Sequence, residues 1–115
     1  MPAPIVFFDI AGPDVTALSA FYRQVFDWDV GTDGQFTVQV EAPISAAIRS
    51  DPAEKLLYVG VPDVAAALDQ ISAAGGAVDA PRFEVPGVVV LGLFKDPAGN
   101  RMGLVEMKDG ALVVP

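Results

Sequence analysis

Residues 55–64 read Lys-Leu-Leu-Tyr-Val-Gly-Val-Pro-Asp-Val, an apolar run that ends in the triplet Pro62-Asp63-Val64. Such a run of β-branched and aromatic residues favours a strand, and the triplet is typical of a helix start. Apolar side chains then recur at helical spacing from Val64 to Ala74. Gly75-Gly76 follows, as glycines often do at helix ends. The stretch therefore predicts a strand joined directly to a helix.

The same order occurs 49 residues earlier in the chain. Ile5-Val6-Phe7-Phe8-Asp9-Ile10 favours a strand, and Pro13-Asp14-Val15 repeats the triplet. Asp14 is the expected N-cap of the first helix, which should end near Asp27. The shared order of strand, triplet and helix indicates an internal duplication.

Shorter strands are predicted after each helix. In the first half they cover residues 28–30, 35–40 and 44–49, and in the second half 77–83, 88–94 and 101–107. Thr32-Asp33-Gly34, Pro86-Gly87 and residues 96–100 supply turns between them. The chain is therefore predicted to be α+β, a single domain over 1–115 with βαβββ modules at 5–50 and 55–107. Each module should form a small curved sheet with one helix on its back.

Composition excludes several classes of function. The net charge is −8, from fifteen acids and seven bases, which suits neither nucleic acid nor an anionic membrane as a partner. The chain has no cysteine and no histidine, so triads that need them are excluded, as are zinc sites built on imidazole or thiolate. No leader or membrane-spanning run is evident, and a cytoplasmic location is expected by default.

The duplicated order of strands and helices, together with short sequence motifs at particular positions, resembles that of the vicinal oxygen chelate superfamily. This superfamily contains glyoxalases, bleomycin resistance proteins and extradiol dioxygenases. Phe21-Tyr22 followed by Val25-Phe26-Asp27-Trp28 is similar to the family's Phe-Tyr…Phe-Gly-Trp pattern, with Asp27 in place of glycine. Asp96-Pro97-Ala98-Gly99-Asn100 is similar to its last hairpin turn. The resemblance covers residues 6–106. It implies that the two modules form a curved mixed sheet around one cleft, and that the protein is a homodimer, with or without exchanged halves.

The resemblance also implies four metal-ligand positions, which this sequence does not fill. The two expected histidines fall at Ile5 (or Phe7, if the register shifts by two) and at Leu56, and the expected acids fall at Ala47 and Gly103. None of these side chains binds a metal. We therefore expect no metal, no cofactor, and neither glyoxalase nor dioxygenase chemistry of the metal-dependent kind.

Strand alternation predicts the residues that line the cleft instead. The expected ligand-binding residues are Phe7, Asp9, Thr37, Gln39, Ala47, Tyr58, Arg101 and Gly103. Ala47 and Gly103 are expected to leave open space where relatives hold a metal. Asp9 and Arg101 could equally form a salt bridge or lie in solvent, and a solvated surface role is favoured for Arg49. The turn residues Asp96 and Asn100 are expected to make local hydrogen bonds only.

Three functions remain open from the sequence. The first is binding of a small organic molecule in the cleft, as in drug-sequestering members of the superfamily. The second is a metal-independent isomerase or lyase, with Asp9 as base and Arg101 or Tyr58 stabilising an oxyanion. The third is a dimeric interaction module, to which the apolar tail 111–114 adds a strand or a cover for a neighbouring subunit. No catalytic residue is assigned.

Overall fold

The computed structural model describes residues 2–26, 28–38 and 44–115. They fall into two compact units: the first is Val6–Leu57, and the second is Tyr58–Pro115 together with Met1–Ile5. The elements in chain order are β1 (Ile5–Gly12), α1 (Val15–Phe26), β2 (Gln35–Val38), β3 (Ile44–Ser50), β4 (Glu54–Val61), α2 (Val64–Ala73), β5 (Ala77–Val85), β6 (Val89–Lys95), β7 (Arg101–Lys108) and β8 (Ala111–Leu112). The predicted α+β class is confirmed.

Each unit repeats one strand arrangement. In the first unit β3 lies between β1, to which it is parallel, and β2, to which it is antiparallel. In the second unit β7 lies between β4, again parallel, and β6, again antiparallel, and β5 lies outside β6. In both units, therefore, the last long strand returns beside the first, and the helix follows the first strand.

Both helices start where the triplets predict. The Asp14 carboxylate accepts a hydrogen bond from the Ala17 amide at 3.0 Å, and that of Asp63 accepts one from the Ala66 amide at 3.0 Å. These bonds satisfy amides that a helix leaves without an internal partner at its N-terminus. At the start of α2 a second carboxylate contributes, because Glu106 accepts a hydrogen bond from the Val64 amide at 3.1 Å.

One face of each sheet packs on the helix of its unit. In the first unit the buried cluster is Val30, Phe36, Ala46 and Ile48, against which α1 packs Val15, Leu18 and Tyr22. In the second unit it is Val64, Leu68 and Leu104, with Val59, Val61 and Phe94 around it. Gly92 lets α2 approach β6, since a Cβ there would lie 2.9 Å from Val64 Cγ1.

The strand predicted at residues 28–30 is wrong, because no strand forms there. The Trp28 ring stacks on Tyr22, with ring centroids 5.2 Å apart, and on Phe36 at 5.4 Å. The Val30 carbonyl accepts a hydrogen bond from Arg23 Nε at 2.8 Å. This carbonyl oxygen would otherwise be available to pair with a neighbouring strand. The other strands begin and end within two residues of their predicted limits, except that residues 39–40 of the predicted 35–40 strand lie outside the described residues.

The C-terminal tail adds a strand to its own chain. β8 pairs antiparallel with the end of β7, with Met107 opposite Leu112. Beyond it, the Gly87 amide donates a hydrogen bond to the Pro115 carbonyl at 3.0 Å. The tail is thereby anchored to the β5–β6 turn of the second unit.

Candidate functional site

Each unit has a sheet face that points away from its helix, and we call this the open face. In the first unit, the parallel register places Phe7 beside Ser45, Asp9 beside Ala47 and Ala11 beside Arg49. The antiparallel register adds Thr37 opposite Ser45. Because paired residues share a face and neighbours along a strand alternate, Phe7, Asp9, Thr37 and Ala47 lie together on this open face. Gln39 lies outside the described residues.

The centre of this face is an ion network around Arg49. Its guanidinium lies 3.1 Å from Asp9, 2.7 Å from Asp51 and 2.9 Å from Glu54, measured from nitrogen to carboxylate oxygen. The bond to Asp51 has hydrogen-bond geometry. The Asp9 side chain is only 3% exposed and that of Arg49 is 25% exposed. This arrangement replaces the solvated surface role predicted for Arg49.

The electrostatics of the network follow from its composition. Burial by itself lowers the pKa of Arg49, but the carboxylates of Glu54, Asp51 and Asp9 raise that pKa by more, so the net shift is upward. The guanidinium is therefore fixed in its charged form. Asp9 is one of the carboxylates in an ion pair with Arg49.

In the second unit, a tyrosine ring covers a glycine. Tyr58 pairs with Gly103 across the parallel β4–β7 ladder, and both are buried. A Cβ built on Gly103 would lie 2.6 Å from Tyr58 Cε2, well inside van der Waals contact. The expectation that Gly103 leaves open space is therefore wrong, because the Tyr58 ring fills that space.

Arg101 is held at one end of the same face. The Nε atom of Arg101 lies 2.8 Å from the carboxylate of Asp79 on β5. Lys95 on β6 is the register partner of Arg101. The hydrogen bond from Arg101 lowers the pKa of Asp79, and the charges of Arg101 and Lys95 add to the effect. The sequence reasoning missed Lys95 and Asp79. A five-residue turn at 96–100 was a usable signal for Lys95, because it sets residue 95 opposite residue 101.

The open face of the second unit continues away from this cluster as an apolar surface. Leu93 pairs with Gly103 and Leu91 with Val105, so these residues share the face of Arg101. On β5, Phe83 pairs with Leu91 and Val85 with Val89. Phe83 is 40% exposed and Val85 is 38% exposed. Apolar side chains therefore line the side of this sheet that faces away from α2.

The positions where the superfamily resemblance expects metal ligands do not fit a metal. Leu56 is 2% exposed, Ile5 and Ala47 have no donor atom in their side chains, and Gly103 lies under the Tyr58 ring. In the described ranges, no three acidic side chains come together as a metal site. Asp96 accepts hydrogen bonds from the amides of Ala98 and Asn100 and from the Asn100 side chain, as expected of a turn, and these lower its pKa.

A mixed sheet in which the first and last long strands of each unit run side by side, with one helix behind, defines the class of fold. The chain belongs to the glyoxalase-like domain family, whose profile matches residues 5–105, and so to the vicinal oxygen chelate superfamily. Neither helix of the described residues is long and apolar enough to cross a bilayer.

Two curated relatives have similar sequences. The anthracycline biosynthesis protein DnrV of Streptomyces peucetius is 27% identical over an alignment that covers 91% of this chain and 49% of the relative. DauV of Streptomyces sp. strain C5, with the same description, is 26% identical with the same coverage. The chain thus spans about half the length of the curated relatives it matches.

Solved structures with the same fold include methylmalonyl-CoA epimerases. One, in complex with methylmalonyl-CoA and an ammonium ion, has a TM-score of 0.68 and 16% identity, over 98% of this chain and 100% of the other. That of Mycobacterium tuberculosis has a TM-score of 0.60 and 14% identity, over 90% and 87%. At such identities the similarity shows the fold alone.

Proposed function

We propose that this domain binds a small organic molecule against the open face of its second unit, without metal-dependent glyoxalase or dioxygenase chemistry. The observation that carries the proposal is the row of partly exposed apolar side chains on that face, Leu91, Leu93, Phe83 and Val85. Apolar walls with a few polar groups are typical of small-molecule sites. Arg101 and Lys95 supply such groups at one end.

The ligand positions of the superfamily support the metal-free part of the proposal. None of the four positions offers a donor atom: Ile5, Leu56 and Ala47 have apolar side chains, the last two of them buried, and Gly103 is covered by the Tyr58 ring, so no side chain there can bind an ion. Stoichiometric zinc, iron, nickel or manganese in purified protein would contradict this part.

The relatives support the binding part through their description. Both are described as anthracycline biosynthesis proteins, and anthracyclines are fused-ring aromatic molecules whose flat shape suits an apolar sheet face. We therefore propose aromatic molecules of that general shape as the first compounds to test. The homodimer implied by the superfamily is also a proposal, which light scattering on the purified chain would test.

A metal-independent isomerase or lyase, with Asp9 as base and Arg101 or Tyr58 as oxyanion partner, has less support. Asp9 is in an ion pair with Arg49, and Arg101 with Asp79. Each charge is thus already balanced by a neighbour within its own unit. A binding role requires neither group to change its protonation state.

A thermal-shift screen of aromatic compounds tests the binding proposal, because a ligand stabilises the native state by mass action. At a ligand concentration of 100 Kd the gain is about 2.7 kcal/mol. Leu91→Asp should abolish the shift, whereas Val114→Asp, a change of the same kind at an exposed residue of the tail, should leave it intact. A compound that stabilises both variants equally would place the site elsewhere.

A further inference from the structure

The second unit's open face has a cationic end and an apolar body. Lys95 and Arg101 form a register pair at the end of the β6–β7 hairpin, and Asp79 is their acidic neighbour. The two bases and Asp79 sum to +1, and Asp96, which follows Lys95, directs its carboxylate into the turn, where it accepts hydrogen bonds from the Ala98 and Asn100 amides. Two positive side chains therefore lie next to each other on this face, in a chain whose net charge is −8.

The apolar body begins directly beside the cluster. Leu93 lies two residues from Lys95 on the same side of β6, and Leu91 lies two residues further on. At about 3.4 Å per residue, the Cα atoms of Lys95 and Leu91 are about 14 Å apart. Phe83 extends the apolar surface across to β5, where it pairs with Leu91. The dimensions suit a molecule of two or three fused rings.

Asp79 has a positioning role in this arrangement. Its carboxylate accepts the hydrogen bond of Arg101 Nε at 2.8 Å, and both side chains are about one-third exposed. A fixed guanidinium presents its donors in a defined direction and loses less conformational entropy on binding than a mobile one. Lys95, which is exposed, adds a second positive charge beside it.

We infer that the molecule bound here is an organic acid: a carboxylate or sulfonate whose charged group lies at Lys95 and Arg101 and whose apolar rings lie along Leu93, Leu91 and Phe83. This inference rests on the proposed function and names its ligand class. A neutral molecule would leave the cationic end unused. A cationic one would meet charge repulsion there.

A pair of fluorescent probes tests the inference. 8-Anilino-1-naphthalenesulfonate carries an anionic group on a ring system that N-phenyl-1-naphthylamine presents without charge. The sulfonate should bind about tenfold more tightly, which corresponds to about 1.4 kcal/mol. Raising the salt concentration from low values to 0.5 M should remove most of this preference, because salt screens exposed charges.

Variants then locate the preference. Lys95→Gln combined with Arg101→Gln should lower the affinity for the sulfonate to that for the neutral probe, and leave the neutral probe unaffected. Arg101→Lys should retain most of the preference. Lys108→Gln removes one positive charge from an exposed residue of the same unit outside the cluster and serves as the control. Circular dichroism of each variant confirms that the fold persists.

The outcomes separate the inference from the proposed function. Equal affinities for the two probes, unchanged in the Lys95/Arg101 variant and lost in Leu91→Asp, would overturn the inference and leave the proposed function standing. Binding of neither probe would overturn both. The protein could instead be a dimer that Leu91→Asp dissociates and that binds the probe only once it has dissociated. That result would assign the face to a second copy of the chain, and it would overturn both the inference and the proposed function.

Discussion

The two units place different chemistry at the same structural position. Counted from their Pro-Asp-Val triplets, Asp9 of the first unit corresponds to Tyr58 of the second. Their parallel partners are Ala47 and Gly103, so small residues also correspond. In the first unit this position holds the buried carboxylate of Asp9, which is part of a charged network. In the second unit it holds the aromatic ring of Tyr58, which covers the backbone of Gly103. One strand plan thus supports a polar face and an apolar one.

The difference extends two residues along the last strand. Arg49 corresponds to Val105, because each follows the small residue by two. Arg49 draws together three carboxylates from β1, the β3–β4 turn and the start of β4, whereas Val105 is a buried apolar residue beside Leu91. The first open face is therefore stabilised internally by charge. The second leaves apolar side chains such as Phe83 and Val85 partly exposed.

Removing the centre of the charged network should have the largest effect. Arg49→Met leaves the buried Asp9 carboxylate near two others with no cation between them, and breaking a buried pair in this way costs about 3–5 kcal/mol. Chemical denaturation of the parent and of the variant measures the loss. Arg82→Met is the matched control: Arg82 also faces two carboxylates, at 3.4 Å, but its side chain is 38% exposed. That change should cost less than about 1 kcal/mol. Equal losses in both variants would show that the burial of Asp9 contributes nothing.

Filling the covered glycine should have the next largest effect. Gly103→Ala places a methyl group against the Tyr58 ring, and overpacking of this kind costs about 1–3 kcal/mol. The cost should fall when Tyr58→Leu is already present, so a double-mutant cycle of unfolding free energies identifies the ring as the cause. Additive effects would mean that the alanine is accommodated without the ring.

Much of this comparison was predictable from sequence. The strand–helix order, the caps at Asp14 and Asp63 and the class of fold all follow from local patterns. The ion pair of Arg49 with Asp9 does not, because it depends on the register between strands that are far apart in sequence. The coverage of Gly103 by Tyr58 is likewise a matter of side-chain direction, which alternation leaves open. The strand expected at residues 28–30 failed because stacking of Trp28 on Tyr22 and Phe36 outweighed its local β-propensity.

A smaller effect is expected at Ser19 of α1, for which Leu68, at the matching position of α2, is the apolar reference. Leu68 is 5% exposed in the second core, whereas Ser19 is 2% exposed and its hydroxyl has no hydrogen-bond partner in the described part of the chain. Ser19→Ala should raise the free energy of unfolding by about 1 kcal/mol, because it removes a buried unpaired polar group and adds a better helix former. Leu68→Ala should lower it by about 2–5 kcal/mol. A Ser19→Ala variant that is less stable than the parent would show that the hydroxyl is bonded to buried water.

The smallest effect concerns the exposed ion pair of the second unit. The hydrogen bond from Arg101 lowers the pKa of Asp79 below its ordinary value of 3.8, so the folded state binds this proton less readily than the unfolded chain. The pair therefore stabilises the fold at pH values above 3.8, and its contribution is lost as the pH falls through the lowered pKa.

A carboxyl NMR titration should show the shift in the parent and its return towards 3.8 in Arg101→Gln. Asp96, whose pKa is lowered by Asn100 instead, should titrate unchanged in that variant. An Asp79 that titrates at its ordinary pKa in the parent would mean that solvent screens the pair completely. Arg101 would then be as free to move as Lys95, and the cationic end of the open face would have no fixed geometry.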